Sequence, residues 1–205
     1  MTGALSVHRR GRSARRATRN TNVLKLSDNP PMIPETVESV ADLQGTWRVA
    51  HTRARFEKAF AWQMHKEGIG YYLPMIERVR VSGGRKRRVL APMFVSYVFL
   101  CGSDADRYTA MATNRLCQTI DVPDQPQLIE ELRFIEQALD GQAELDPYPF
   151  AAVGQRCRVT AGPMVGMEGT VIRRDRLAKL VLAVSMLGQG VSVEIECDLL
   201  EPTDG

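Results

Sequence analysis

Three histidines and four cysteines are the residues of this 205-residue chain best suited to metal or nucleophilic chemistry. His8, His51 and His65 lack metal-ligand spacing, and Cys101, Cys117, Cys157 and Cys197 include no Cys-x-x-Cys pair, so neither set reads as a metal site or redox couple. Most of the cysteines sit in apolar strand patterns, which fits reduced core thiols and a cytoplasmic location. No nucleophile elbow occurs. The glycines between Gly162 and Gly169 lack the lysine and hydroxyl residue of a phosphate-binding loop. Asp104 and Asp106 stand beside a helix start, where capping is the ordinary use of aspartate. The chain therefore reads as a non-enzyme, with no cofactor and no metal.

The chemistry that remains is charge. Arg78, Arg80, Arg85, Lys86, Arg87 and Arg88 set six cations within eleven residues, enough to touch a nucleic-acid backbone where they share a face. A second basic stretch precedes them: residues 1–27 hold Arg9, Arg10, Arg12, Arg15, Arg16, Arg19 and Lys25 and no acid. The net charge of +3 thus belongs to this arm, and the remaining residues carry more acidic than basic groups. Its Ser, Thr and Asn neighbours and lack of helical spacing read as disorder. It is either a phosphate-seeking arm whose attraction falls with salt, or an unstructured leader with Met32 as an internal start. Its charge is that of a transit peptide, but it has no signal-peptide core, and no apolar run is long enough to cross a bilayer.

The elements that must position these residues divide into two modules. Residues 1–44 are the arm and a Pro-rich linker, 45–139 a first domain, 140–152 an interdomain linker and 153–203 a small all-β unit. In the first domain, Trp47 to Ala50 predicts a strand. Thr52 is the expected cap of a helix running to about Lys66, with Trp62 off its apolar stripe. Ser82-Gly83-Gly84 turns one extended segment into another, which makes the basic cluster a hairpin. Phe94 to Cys101 is the strongest strand signal: Phe94, Ser96, Val98 and Leu100 alternate with Val95, Tyr97, Phe99 and Cys101, so both faces are largely apolar. One face takes the helices; the other is either covered from within or open to a partner. Asp104 is the expected cap of a short helix, and Leu128, Leu132, Ile135 and Leu139 mark the buried stripe of another.

Trp47-Arg48-Val49, His51-Thr52-Arg53, Glu57, Leu73-Pro74 and Pro92 to Phe99 resemble the N-terminal domain of the NusG family of transcription elongation factors. Gly154, Val159, Gly162-Pro163, Gly166 and Gly169-Thr170-Val171 resemble the KOW domain that follows it. The fold implied is α+β: an N-terminal antiparallel sheet with flanking helices, then a small SH3-like five-stranded β-barrel. The resemblance implies a monomeric, non-catalytic antitermination factor that docks on the clamp helices of the RNA polymerase largest subunit. By position, Phe94, Tyr97, Phe99 and Ile120 fall in the docking depression, and Arg107 and Thr109 face the polymerase gate loop. The basic hairpin then reaches non-template or upstream DNA. The loop of Gly162, Pro163, Met164, Gly166 and Gly169 belongs to a KOW domain that engages ribosomal protein NusE or Rho. Val95-Ser96 stands where the family has Pro-Gly, Asn114 to Cys117 where it has Thr-x-Gly-Val, and Met164 where it has an aromatic. These departures resemble specialised, RfaH-like paralogues acting on selected operons. The rival reading is an RNA-binding ribosomal or ribosome-assembly protein built around the KOW loops.

Overall fold

The computed structural model describes residues 29–141, 145–148, 154–174 and 177–203. The basic arm lies outside them. Four strands, β1 (Thr46–Thr52), β2 (Gly70–Tyr72), β5 (Tyr97–Gly102) and β6 (Leu116–Asp121), form an antiparallel sheet in the order β2-β5-β1-β6. Register pairs Val49 with Phe99 and Ile120, and Phe99 with Tyr72. Trp47, Val49, Tyr72, Phe99 and Cys101 thus share one face, where they cluster with Leu128, Leu132 and Ile135 of α3 (Gln125–Asp140). The opposite face presents Ala50, Tyr71, Val98 and Leu100 to Phe60, Ala61 and Met64 of α1 (Glu57–Glu67) and Ala110 of α2 (Asp104–Ala112). The doubly apolar β5 is therefore covered from within on both sides.

Helix starts follow local chemistry with two departures from expectation. Thr52 does not cap α1, because it is the buried last residue of β1, with its N–H bonded to Ser96 O at 2.8 Å. The helix begins instead after Phe56 with no side-chain cap. Ser103, not Asp104, caps α2 in a reciprocal capping box with Asp106. Asp104 is diverted to the buried Arg48 guanidinium, 2.6 Å from Nη2. Asp124 caps α3, and Pro126 fits its first turn.

Strands β3 (Met75–Ser82) and β4 (Arg85–Pro92) pair only with each other, as a two-stranded ribbon turning at Gly83-Gly84. Its foot is rooted by the buried Met75, Ile76 and Ala91, while the rest of both strands runs out into solvent.

The second module departs from the expected five-stranded barrel. Strands β7 (Leu145–Tyr148), β8 (Gln155–Val159), β9 (Glu168–Arg174), β10 (Leu177–Val184), β11 (Gln189–Glu196) and β12 (Leu200–Pro202) form a six-stranded sheet in the order β12-β8-β9-β10-β11-β7. Its edge strands β12 and β7 do not meet, so no SH3-like barrel closes. Two physical reasons stand out. The connecting segment contributes β7, which adds to β11 at the edge a closing strand would need. The sheet also buries apolar surface against α3 rather than only against itself: β10 packs on the helix, and Leu180, Leu182 and Val193 join the cluster holding Leu132 and Ile135. Polar ties reinforce this contact. Ser185 donates to Glu131 from both Oγ, at 2.6 Å, and N, at 3.2 Å. No helix among the described residues is long and apolar enough to cross a membrane.

Candidate nucleic-acid and partner interface

Cross-strand register sorts the six predicted cations of the ribbon onto two faces. Arg80 lies opposite Arg87, Arg78 opposite Val89 and Arg85 opposite Ser82, so Arg78, Arg80, Arg85 and Arg87 share one side. Lys86 and Arg88 fall on the other, with Val79 and Val81, which are 61% and 67% exposed. Arg88 has a partner there, Glu77, at 3.6 Å. Among the described residues no acid pairs with the four-arginine side. Like charges set directly opposite destabilise a strand pair, so this face is built at a cost to the fold. The repulsion reaches the helix layer: burial first, and then Arg80, hold the Lys58 ammonium below the ordinary lysine pKa, with Glu57 opposing.

The predicted docking residues do not form one surface. Phe94 and Phe99 are core side chains, 2% and 0% exposed, packed edge to face with ring centroids 5.6 Å apart. They are unavailable to a partner because α3 occupies the sheet face that a docking depression would need. Tyr97 and Ile120 are half-buried at the margin of the same face, and Tyr97 stacks on its cross-strand neighbour His51 at 5.1 Å. Arg107 and Thr109 lie on α2, across the sheet. Arg107 Nε donates to Thr119 Oγ1 at 2.8 Å, and the exposed Thr109 donates to Ala105 O.

Sequence reasoning missed a rim where three loops meet. Arg55, Ser96 and Asn114 hold φ of 68°, 67° and 56°, the left-handed region that non-glycine residues seldom occupy. All three belong to loops at one end of the sheet. Thr52 N donates to Ser96 O, Arg53 N donates to Arg115 O at 2.8 Å, and Ser96 N donates to the buried Glu57 Oε1 at 2.7 Å. Backbone strain of this kind concentrates at sites under functional constraint. Beside it, Val95 is 70% exposed and Phe56 is also exposed. The sequence signals were the departures from the resembled family at Ser96, in place of a glycine, and at Asn114 to Cys117.

In the second module Gly162 and Gly166 take φ of 86° and 85°, which explains their residue type. Pro163 is exposed, Met164 half-buried, and a Cβ at Gly169 would meet Val181 O at 2.6 Å. Rather than standing free, the loop touches α3: Gln137 Nε2 donates to Pro163 O at 3.2 Å and to Val165 O at 3.4 Å.

No group of three or more His, Cys, Asp or Glu able to hold a metal occurs among the described residues. Comparison with known proteins gives one family match: residues 45–136, rather less than half of the chain, match the family described as "Transcription termination factor nusG". No curated protein matches the chain. Among solved structures, one titled "Domain interaction in Thermotoga maritima NusG" is 16% identical, with a TM-score of 0.44 and coverage of 78% of this chain and 98% of that one. Another, titled "Crystal Structure of MjSpt4:Spt5 complex conformation B", is 17% identical, with a TM-score of 0.23 and coverage of 78% and 97%. At such TM-scores neither decides the fold. The family match covers the first domain and stops short of the C-terminal sheet.

Proposed function

We propose that this protein is a transcription elongation factor that binds RNA polymerase and suppresses pausing or termination on selected operons, in the manner of RfaH-like paralogues. The observation that carries the reading is the family match over residues 45–136, and the exposed, unpaired arginine face of the ribbon beside that domain's core supports it. The polymerase contact is drawn from what remains accessible: Tyr97, Ile120 and the neighbouring Val95, with the clamp helices of the largest subunit as the partner. Phe94 and Phe99 support this margin from beneath. Anchored there, the factor holds the ribbon over upstream or non-template DNA and opposes pausing by shifting a conformational equilibrium of the elongation complex. Ser96 in place of the family glycine supports a specialised docking loop, since a serine at this φ carries a backbone cost that glycine does not.

Retention on immobilised core RNA polymerase without RNA, read beside transcription through a pause site, tests this. Tyr97→Ala is expected to weaken retention about thirtyfold, the size of a 2 kcal/mol aromatic anchor, and to abolish read-through, while the circular dichroism melt stays in place. Unchanged retention for both Tyr97→Ala and Ile120→Asp retires the docking surface.

A further inference from the structure

Among the described residues, every strand edge but one is protected. An open edge presents unpaired N–H and C=O groups to any other strand, and proteins blunt it with proline, charge or a covering segment. In the second sheet β7 carries Pro147 and β12 carries Pro202. The ribbon carries its cations. In the first sheet β2 is three residues long, and Pro31 and Met32 are tied against it: Tyr71 Oη donates to Pro31 O at 3.0 Å and Leu73 N to Met32 O at 2.7 Å. The opposite edge, β6, reads Leu-Cys-Gln-Thr-Ile-Asp, with neither proline nor cation in it and no strand beyond it. Cys117, Gln118 and Asp121 are exposed along this edge.

The charges around the edge select its occupant. Thr119 pairs with Ala50 and Asp121 with Arg48, so both lie on the sheet face that α2 covers. The Asp121 side chain is 78% exposed, with only a 3.4 Å contact to Arg48 Nε. Arg107 of α2 reaches Thr119 Oγ1 through Nε and pairs with no acid among the described residues. An irregularity beside Cys117 confines the regular part of the strand to Gln118–Asp121, so a symmetric pairing falls at Thr119. We propose that β6 pairs antiparallel with β6 of a second copy of this chain, about a two-fold axis through Thr119, joining two four-stranded sheets into one. In that register Thr119 meets Thr119 of the other copy, and Gln118 meets Ile120. Arg107, held over Thr119, then stands diagonally across from Asp121 of the other copy, about 7–8 Å between backbones, a gap that a long side chain spans. Symmetry makes the pair twice, so the surface is complementary to itself. A two-fold normal to the sheet also sets α2 of both copies on one face, where Tyr108 and Met111 are its exposed large apolar side chains. So short an interface forms a dimer at about 10–100 µM. It departs from the monomer that the family resemblance implies. Ile120, assigned above to polymerase, lies in the paired strand, so pairing and docking are alternatives.

The test is sedimentation equilibrium of the full chain from about 5 to 200 µM, without polymerase or nucleic acid; the parent is expected to pass from monomer to dimer across this range. Thr119→Lys sets two ammonium groups opposite each other on the axis and is expected to raise the dissociation constant more than about tenfold, with the melt of a dilute sample unchanged. Disulfide trapping in a Cys117→Ser background reads the register. Thr119→Cys places its two Cα atoms about 4.5–5.5 Å apart and links the copies under mild oxidation. Gln118→Cys, whose counterparts stand about 8 Å apart, links at least about tenfold more slowly. A parent that stays monomeric at about 200 µM overturns the second copy as occupant and leaves the edge to a strand of another protein. A dimer undiminished by Thr119→Lys overturns β6 as the contact, and equal linking by the two cysteine variants overturns the register. Retention on polymerase is measured separately at concentrations where the chain is monomeric, so failure of the dimer leaves the docking reading standing.

Discussion

Strand β5 and the β3–β4 ribbon are neighbours in sequence and opposites in space. Apolar side chains on both faces draw β5 to the centre of a sandwich, with α1 and α2 on one side and α3 on the other. On the ribbon, cations on both faces, interspersed with the exposed Val79 and Val81, keep the strands beyond the buried foot out of the core and without further strand partners. An isolated two-stranded hairpin is marginal in water, so the ribbon depends on its buried foot and on whatever neutralises its charge. Aromatic residues in a strand invite a binding role, but here Phe94 and Phe99 build the domain core, while the ribbon's charges stay exposed to solvent.

The widest separation between the two regions is expected in stability. Phe99→Ala removes a fully buried ring and is expected to cost about 3–5 kcal/mol in urea unfolding; a loss below about 1 kcal/mol would show that the ring is not part of the core. Ser96→Gly, at the entrance to β5, relieves left-handed backbone and is expected to stabilise by up to about 1 kcal/mol, and a destabilisation would mean that its hydroxyl has an unrecognised structural role. The paired change Arg80→Gln with Arg87→Gln is expected to leave the melting profile within about 0.5 kcal/mol of the parent or slightly above it, while DNA affinity falls. A large destabilisation would turn the arginines into structural residues. Thiol labelling at about pH 8 sharpens the same contrast without a mutation. Cys117 is exposed and should react at once, whereas Cys101, its thiol pushed up to about 11 by burial, should stay unmodified until the chain unfolds.

Much of the first domain was legible because its signals are local. Alternation around Phe99, the Leu128, Leu132 and Ile135 stripe and the Ser82-Gly83-Gly84 turn each follow from nearest neighbours in the chain. What was not legible is which surface covers which. Both the open face of β5 and the stripe of α3 were visible, but their pairing is a long-range choice that no local period encodes. The same limit hid the open second sheet. Leu145-Asp146-Pro147-Tyr148 reads as a connection because of its proline, yet proline is tolerated in a strand that borders a sheet, and β7 takes that place beside β11. The left-handed backbone of Arg55, Ser96 and Asn114 was hidden for another reason: such a conformation favours glycine, and the sequence offers none there.

The double grip on α3 bears on how the molecule is made. Glu136 receives hydrogen bonds from Ser39 and Val40 upstream, while Glu131 and Gln137 engage the second module downstream. During synthesis the upstream contacts form first, and α3 leaves the ribosome with one flank bare until β10 emerges. A transcript cut short after α3 therefore yields a domain with a sticky side, prone to self-association, and the complete chain quenches that stickiness only once its final strands are translated.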